Sequence, residues 1–155
     1  MRVIRGIVVA IVVICLGCAC QSAEPSVRDT QVQYLSIVCS VDRTLDDLGS
    51  YVDPYTNSLA QFRTAAANAR DQMWGAAKSL DAPDSPWPSD IEGDIAILKS
   101  SYLSDAGMFD SLSKAPTWEA VTSIFYQNTD TTGRDAKRRI RFALDLPAVS
   151  NAACE

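Results

Sequence analysis

The chain has 155 residues, of which 19 are acidic, 14 are basic and none is histidine, so its net charge is −5. An acidic balance argues against a general nucleic-acid-binding protein, because the phosphate groups repel it. Without histidine, this chain offers no Ser-His-Asp or Cys-His catalytic set and no histidine metal site. The motifs GxxxxGK, GxGxxG and GxSxG are absent from it as well. The sequence therefore predicts no enzymatic activity, no cofactor and no metal.

The chain begins with a basic, then apolar, then cysteine-rich segment that has the plan of an export signal. Arg2 and Arg5 precede an uncharged apolar run over residues 6–16, and small residues and cysteines follow. This run is shorter than the roughly 20 apolar residues of a membrane-spanning helix, which argues against a permanent span. The cysteines resemble the lipobox of bacterial lipoproteins, in which one cysteine becomes the lipid-modified first residue. We predict a cleaved lipoprotein signal peptide over residues 1–19 and a tether over residues 20–27.

Two cysteines are candidates for lipidation, and the number of cysteines helps to choose between them. The sequences before Cys20 (LGCA) and before Cys18 (ICLG) both approach the lipobox pattern. If Cys20 carries the lipid, Cys15 and Cys18 leave with the signal, and only Cys39 and Cys154 remain. If Cys18 carries it, Cys20 is an odd thiol in an oxidising compartment. We predict lipidation at Cys20, with Cys18 as the alternative.

A disulfide between Cys39 and Cys154 is expected, because an exported domain folds in an oxidising compartment. The alternative is two separate, buried thiols. The bridge closes a loop of more than one hundred residues. The chain-entropy model associates such a loop with about 4–5 kcal/mol of stability.

The first two predicted helices follow directly from the spacing of apolar residues. Between residues 28 and 48 these recur at intervals of three and four, and Gly49 stands where a helix-ending glycine belongs. Asp53 and Pro54 then predict the start of a second helix. Its heptad-like seam runs from Tyr55 to Leu80 and has small alanines in its middle. Bundle core is the favoured interpretation of this seam, and a partner-binding coiled coil is the alternative.

The later elements are also helical. The segment 81–88 (DAPDSPWP) is a break, after which Ser89 and Glu92 have the spacing of a capping box. We expect Gly107 to end or kink this third helix. Pro116 and Thr117 open a fourth helix, and residues 134–144 form the last one, with Ala136, Ile140 and Leu144 on its buried side. The sequence thus predicts one all-α domain over residues 28–155, an antiparallel bundle of four to five helices with an extended tail from residue 147.

Six acidic residues on two of the predicted helices offer carboxylates for glycoside hydrolysis, which a carboxylate pair performs. They are Asp42, Asp46 and Asp47 on the first helix and Asp90, Glu92 and Asp94 on the third. Acidic residues in a first turn ordinarily interact with the helix dipole, and the others fit a solvated face. A carboxylate-based envelope hydrolase is therefore kept only as an alternative.

The segment RDAKRRIR, residues 134–141, is basic in an otherwise acidic chain, and we call it the basic run. Arg134, Arg138 and Arg141 share one helical stripe, with Lys137 adjacent. One interpretation is a site that binds anionic envelope polymers, lipid headgroups or an acidic partner. The favoured interpretation is that these residues pair with carboxylates of the first and third helices.

The three tryptophans suggest a groove for a peptide or a sugar, but each has a simpler explanation. Trp74 lies beside the heptad seam and is predicted at the edge of the core. Trp87 stands between two prolines, where its ring is expected to plug the end of the bundle. Trp118 is predicted in the first turn of its helix and partly exposed.

Three segments resemble those of small uncharacterised lipoproteins of actinobacteria. They are TQVQYLSIVCSVDRTLDDL, SPWPSDIEGDIAIL and RRIRFALDLP, the last followed by Cys154. The resemblance covers most of the chain after the signal, and it implies the lipid anchor and a helical fold. It implies no activity.

The sequence as a whole favours a non-enzymatic binding or scaffolding module on the extracytoplasmic face of the cell membrane. Without Arg2 and Arg5 the chain has 12 basic and 19 acidic residues, a net charge of −7. Such a domain is expected to attach through its lipid rather than through a basic surface. The alternative is an accessory or inhibitory lipoprotein that holds a particular envelope protein. The oligomeric state is not predicted.

Overall fold

The computed structural model describes residues 26–128, 130–147 and 154, and these residues contain five α-helices and no strand. The helices are α1 (Val27–Gly49), α2 (Leu59–Asp81), α3 (Glu92–Ser113), α4 (Trp118–Gln127) and α5 (Thr132–Ala143). The predicted all-α fold is therefore confirmed. The predicted signal peptide, Cys18 and Cys20 lie outside the described residues. Among the five helices, none combines the length and the apolar character needed to cross a membrane.

Side-chain contacts show that α2 and α3 run antiparallel. Arg63, near the start of α2, donates from Nε to the carbonyl of Ser113 at the end of α3, at 2.8 Å. Asp81, at the end of α2, pairs with Lys99 in the first half of α3, where the Nζ–Oδ1 distance is 2.6 Å. The two helices thus lie side by side along their whole length, and they form the most closely packed pair of the bundle.

The other neighbours in the bundle are antiparallel as well. Gln33, early in α1, exchanges two hydrogen bonds with the backbone of Ser85, which follows α2. Gln31 donates from Nε2 to the carbonyl of Leu144, just after α5, at 2.6 Å. The backbones of α2 and α3 pack closely, as do those of α1 and α2 and those of α3 and α5. The gap between α1 and α5 is bridged mainly by side chains, which leaves room between them.

The core confirms the predicted seam of α2 from residue 62 onward. The seam residues that are buried are Phe62, Ala66, Ala69, Met73, Ala76 and Leu80. Because four of the buried residues of α2 are alanines, α3 approaches closely along its middle. The ring of Trp118 in α4 packs on Phe62, with ring centroids 5.2 Å apart, and closes one end of the bundle. Trp87 lies half-buried against the core, and its Nε1 donates to the carbonyl of Leu80 at 3.0 Å.

The predicted start of α2 at residue 54 is wrong, because another capping motif follows. Asp53 does accept the backbone N–H of Tyr55 at 2.9 Å, but this bond closes a turn rather than a helix. Tyr55 is 96% exposed and does not join the seam. The helix begins after Ser58, whose side chain forms a reciprocal capping box with Gln61.

Two expectations for α3 are also wrong. Ser89 forms no capping box, since α3 begins at Glu92 without a side-chain cap and the carbonyl of Pro88 accepts the first N–H groups. Gly107 does not end the helix, which continues to residue 113. On either side of this glycine, Ala106 and Phe109 are buried, and their packing outweighs the weak helix propensity of glycine.

Gly133, in the first turn of α5, allows the close approach of α5 to α3. A Cβ atom at this position would lie 2.0 Å from Ser101 Oγ and 2.4 Å from Ser101 Cβ. No side chain fits there unless α5 moves away. Gly107 is the opposite case, because nothing lies within 4 Å of its missing Cβ.

We expect Gly133→Ala to lower the free energy of unfolding by about 1–3 kcal/mol, through overpacking against Ser101. The matched control is Gly107→Ala, which should raise it by about 0.5–1 kcal/mol, since an exposed helical position gains from alanine. Urea denaturation followed by circular dichroism measures both. A Gly133→Ala variant as stable as the parent would contradict the close approach.

Candidate functional site

A cavity of about 360 Å³ lies where α1, α3 and α5 face one another, and it is the candidate functional site. Its polar lining comes from different helices and from the α4–α5 turn. It consists of Asp42 (α1), Ser101, Tyr102 and Asp105 (α3), Asn128 and Asp130 (the turn), and Arg134 and Lys137 (α5). Its apolar lining includes Leu45, Met73, Leu98 and Phe125. We call this space the α1–α5 cavity.

An ion pair between Asp42 and Lys137 bridges α1 and α5 at the cavity. Asp42 Oδ1 lies 2.5 Å from Lys137 Nζ, and the two side chains are only 14% and 17% exposed. The second carboxylate oxygen, Asp42 Oδ2, is buried and has no hydrogen-bond partner within the described part of the chain. The pair therefore neutralises the charge of Lys137 but leaves one strong acceptor unused.

Tyr102 contributes a buried hydroxyl group to the same place. The residue is 5% exposed, and its hydroxyl has no hydrogen-bond partner among residues 26–128, 130–147 and 154. Burial raises its pKa well above the ordinary value, and the nearby Tyr34, Asp42 and Asp105 add to the shift. The hydroxyl is thus neutral at physiological pH, able both to donate and to accept a hydrogen bond.

Asp105 is half-buried one turn further along α3 from Tyr102. Burial raises the pKa of its carboxyl group, and hydrogen bonds from Asn128 and Ser101 oppose this rise. The Asn128 amide lies 3.4 Å from Asp105 Oδ1 and 2.8 Å from the sulfur of Met108. Asp130, at the exposed rim, accepts the backbone N–H and the hydroxyl of Thr132.

The basic run does not form one surface stripe. Arg141 is 1% exposed, and its Nε donates to the carbonyl of Pro147 at 2.7 Å. Lys137 lines the cavity, while Arg138 is exposed and lies 3.1 Å from Asp135. Arg134 is exposed and lines the cavity, and it makes no ion pair with any described residue. Anion binding stays a prediction, and of the four predicted residues it now concerns the exposed Arg134 and Arg138.

Two basic residues of the run pair with carboxylates of the first and third helices, as the favoured interpretation predicts. Lys137 pairs with Asp42 of α1. Arg139, which the sequence analysis did not single out, donates from Nη2 to Asp94 of α3 at 2.6 Å. Of the six acidic candidates for a hydrolase, only Asp42 lines the cavity. A second carboxylate that lines the cavity is that of Asp105, which was not predicted. Its place three residues after the core residue Tyr102 could have indicated that it lies on the inner face of α3.

Trp74 is 57% exposed, so its predicted place at the core edge is wrong. The register of α2 explains this, since the buried Met73 and Ala76 turn residue 74 outward. A shallow groove of about 420 Å³ runs beside its ring, with Lys78, Lys99 and Leu103 among its walls. We call it the Trp74 groove.

A disulfide joins Cys39 in the middle of α1 to Cys154, with a Cα–Cα distance of 5.4 Å. Cys39 is buried in the core, and Arg43, one turn along α1, donates from Nη2 to the carbonyl of Cys154 at 3.0 Å. The bridge spans a sequence separation of 115 residues. It fastens the chain beyond α5 to the first helix.

No family model, curated protein or solved structure matches this chain. Over the described ranges, no group of three or more cysteine, aspartate or glutamate side chains is placed to hold a metal ion. What the site does must therefore be argued from its own residues.

We expect Lys137→Met to lower the free energy of unfolding by about 3 kcal/mol, because it leaves the buried Asp42 carboxylate without its counter-charge. The double variant Asp42→Asn/Lys137→Met should recover more than half of this loss. Arg138→Ala is the control and should change stability by less than about 0.5 kcal/mol, since its pair is exposed. A Lys137→Met variant no less stable than Arg138→Ala would show that the buried pair contributes nothing.

Proposed function

We propose that this protein is a non-enzymatic binding module held on the extracytoplasmic face of the cell membrane by a lipid on Cys20. The observation that carries the proposal is the disulfide between Cys39 and Cys154. These are the two cysteines that remain besides the lipidated one if the chain is cleaved before Cys20, and a structural disulfide belongs to an oxidising compartment. The basic and apolar pattern of residues 2–16 supports the same location.

The position of α1 fits attachment close to a membrane. Ser26 caps the helix by accepting the backbone N–H of Asp29 at 3.2 Å, so only residues 21–25 separate the helix cap from Cys20. A chain extends by at most about 3.5 Å per residue, so this tether reaches roughly 20 Å. The folded domain would stay within that distance of the lipid surface.

Lipidation is tested by expressing the full chain in a host that modifies lipoproteins and labelling it with an alkyne fatty acid. We expect the parent and Cys18→Ala to be labelled and membrane-bound, and Cys20→Ala to be neither. Mass analysis of the N-terminal peptide should place the lipid on Cys20. Label in Cys20→Ala but not in Cys18→Ala would move the anchor to Cys18, and an unlabelled parent would overturn the proposal.

A second candidate function is that of an accessory or inhibitory lipoprotein that holds one envelope protein. The Trp74 groove favours it, because a large aromatic ring stands 57% exposed beside Leu103 and the side chains of Lys78 and Lys99. Exposed tryptophan is enriched at the centres of protein interfaces.

A photo-crosslinking amino acid placed at position 74 in intact cells tests this second function. We expect one defined adduct from position 74 and none from position 55, which is exposed but lies outside the groove. The additional substitution Leu103→Asp should weaken the adduct several-fold, since it adds a charge to the groove wall. Equal labelling from both positions, or none, would rule this function out.

A further inference from the structure

The outward face of α2 carries a pattern of residues that is complementary to itself. Asp71, Trp74, Gly75 and Lys78 occupy positions i, i+3, i+4 and i+7 of the helix, and all four are exposed. Residues with this spacing lie on one stripe of a helix. If two copies of α2 cross antiparallel about a two-fold axis between residues 74 and 75, each member of this stripe meets a different member of the other copy. The axis sets residue 74 level with residue 75, and residue 71 level with residue 78.

The shapes at the centre of this crossing fit each other. The ring of Trp74 is 57% exposed and projects beside the Trp74 groove, whose volume is about 420 Å³. Gly75 has no side chain, and nothing lies within 4 Å of the place where its Cβ would be. The indole of one copy therefore has space over Gly75 of the other copy, at the mouth of its groove.

The charges on either side of the centre are complementary as well. Lys78 is exposed and makes no ion pair with any described residue. The side chain of Asp71 is 66% exposed, and its Oδ1 lies 2.8 Å from the Nε of the neighbouring Arg70. A carboxylate with this exposure has room for a second basic partner. The two-fold axis places Lys78 opposite Asp71 of the second copy, and it does so twice in one interface.

The same face is electrically neutral, although the chain has a net charge of −5. Copies of an acidic chain repel each other wherever acidic surfaces meet. Here Lys78 balances Asp71, and Lys99 is paired with Asp81 at 2.6 Å. The adjacent outward residues of α3 are small, exposed and uncharged: Ser100, Ser104 and Gly107. A second copy can therefore approach this face without charge repulsion and without a long side chain in its way.

The face is also large enough for a stable contact. The helix α2 has 23 residues, and α3 lies beside it along its whole length. Two adjacent helices of this length form a layer about 34 Å long and about 20 Å wide, or roughly 700 Å² per copy. A standard interface buries about 800 Å² per partner.

We propose that the outward face of α2 and α3 is the interface of a homodimer, in which Trp74 packs on Gly75 and Lys78 pairs with Asp71 of the second copy. This inference goes beyond the proposed binding module. It gives the Trp74 groove a second copy of this chain as its occupant, in place of the envelope protein considered above. It does not depend on the lipid anchor.

The experiment is the co-purification of two full chains with different C-terminal tags, expressed together in a host that modifies lipoproteins and solubilised in mild detergent. We expect the parent chains to co-purify. When both chains carry Asp71→Lys, or both carry Lys78→Asp, recovery of the second tag should fall at least about ten-fold, because like charges then face each other twice. When one chain carries Asp71→Lys and the other Lys78→Asp, recovery should return to the parent level, since both pairs are again attractive.

The matched control is Asp46→Lys on the exposed side of α1, which changes the net charge as much as Asp71→Lys does and should leave recovery unchanged. Equal recovery from every combination, or recovery from none, would overturn the proposal. A loss in both single variants that the mixed pair does not restore would overturn it too, because the charges would then not act between two copies.

The photo-crosslinked adduct at position 74 gives an independent measurement. An adduct of twice the mass of the chain supports the homodimer, and an adduct of any other mass overturns it in favour of a different protein in the groove. Neither measurement bears on the labelling of Cys20, so a failure here is distinguishable from a failure of the proposed anchor.

Discussion

The contact between Gly133 and Ser101 is the constraint on which the arrangement of α5 depends. Because residue 133 has no side chain, the first turn of α5 lies directly on α3. The rest of α5 then reaches back toward α1 and meets it through side chains, chiefly Lys137 with Asp42. The backbones of α3 and α5 are therefore in close contact, whereas those of α1 and α5 are not. The α1–α5 cavity is the space that this asymmetry leaves.

Much of the fold was predictable because apolar spacing and turn residues act locally. The seam of α2, the cap of α4 at Thr117 and the buried face of α5 all follow from residues a few positions apart. The wrong start of α2 occurred where two local signals competed. Asp53 and Ser58 both have capping side chains, but only Ser58 forms a reciprocal capping box, and the helix that follows it places Phe62 in the core.

The candidate site was far less predictable, since it depends on distances between helices. Asp42 was noted as one of several carboxylates, but its burial follows from the position of Lys137, which is 95 residues away. Tyr102 lies in the core, and nothing in the sequence shows that its hydroxyl lacks a hydrogen-bond partner among the described residues. Arg141 seemed to belong to a surface stripe. It is buried because the left-handed turn at Asp145 folds the Pro147 carbonyl back onto it.

The disulfide between Cys39 and Cys154 determines what happens to the protein when a protease cuts it once. Every turn between helices, including the proline-rich segment 82–91, lies inside the loop that the bridge closes. A single proteolytic cut in any of these turns leaves two fragments that remain covalently joined. If the N-terminal fragment carries the proposed lipid, the C-terminal fragment stays at the membrane with it. A nicked domain would thus be retained on the cell surface until the bridge is reduced.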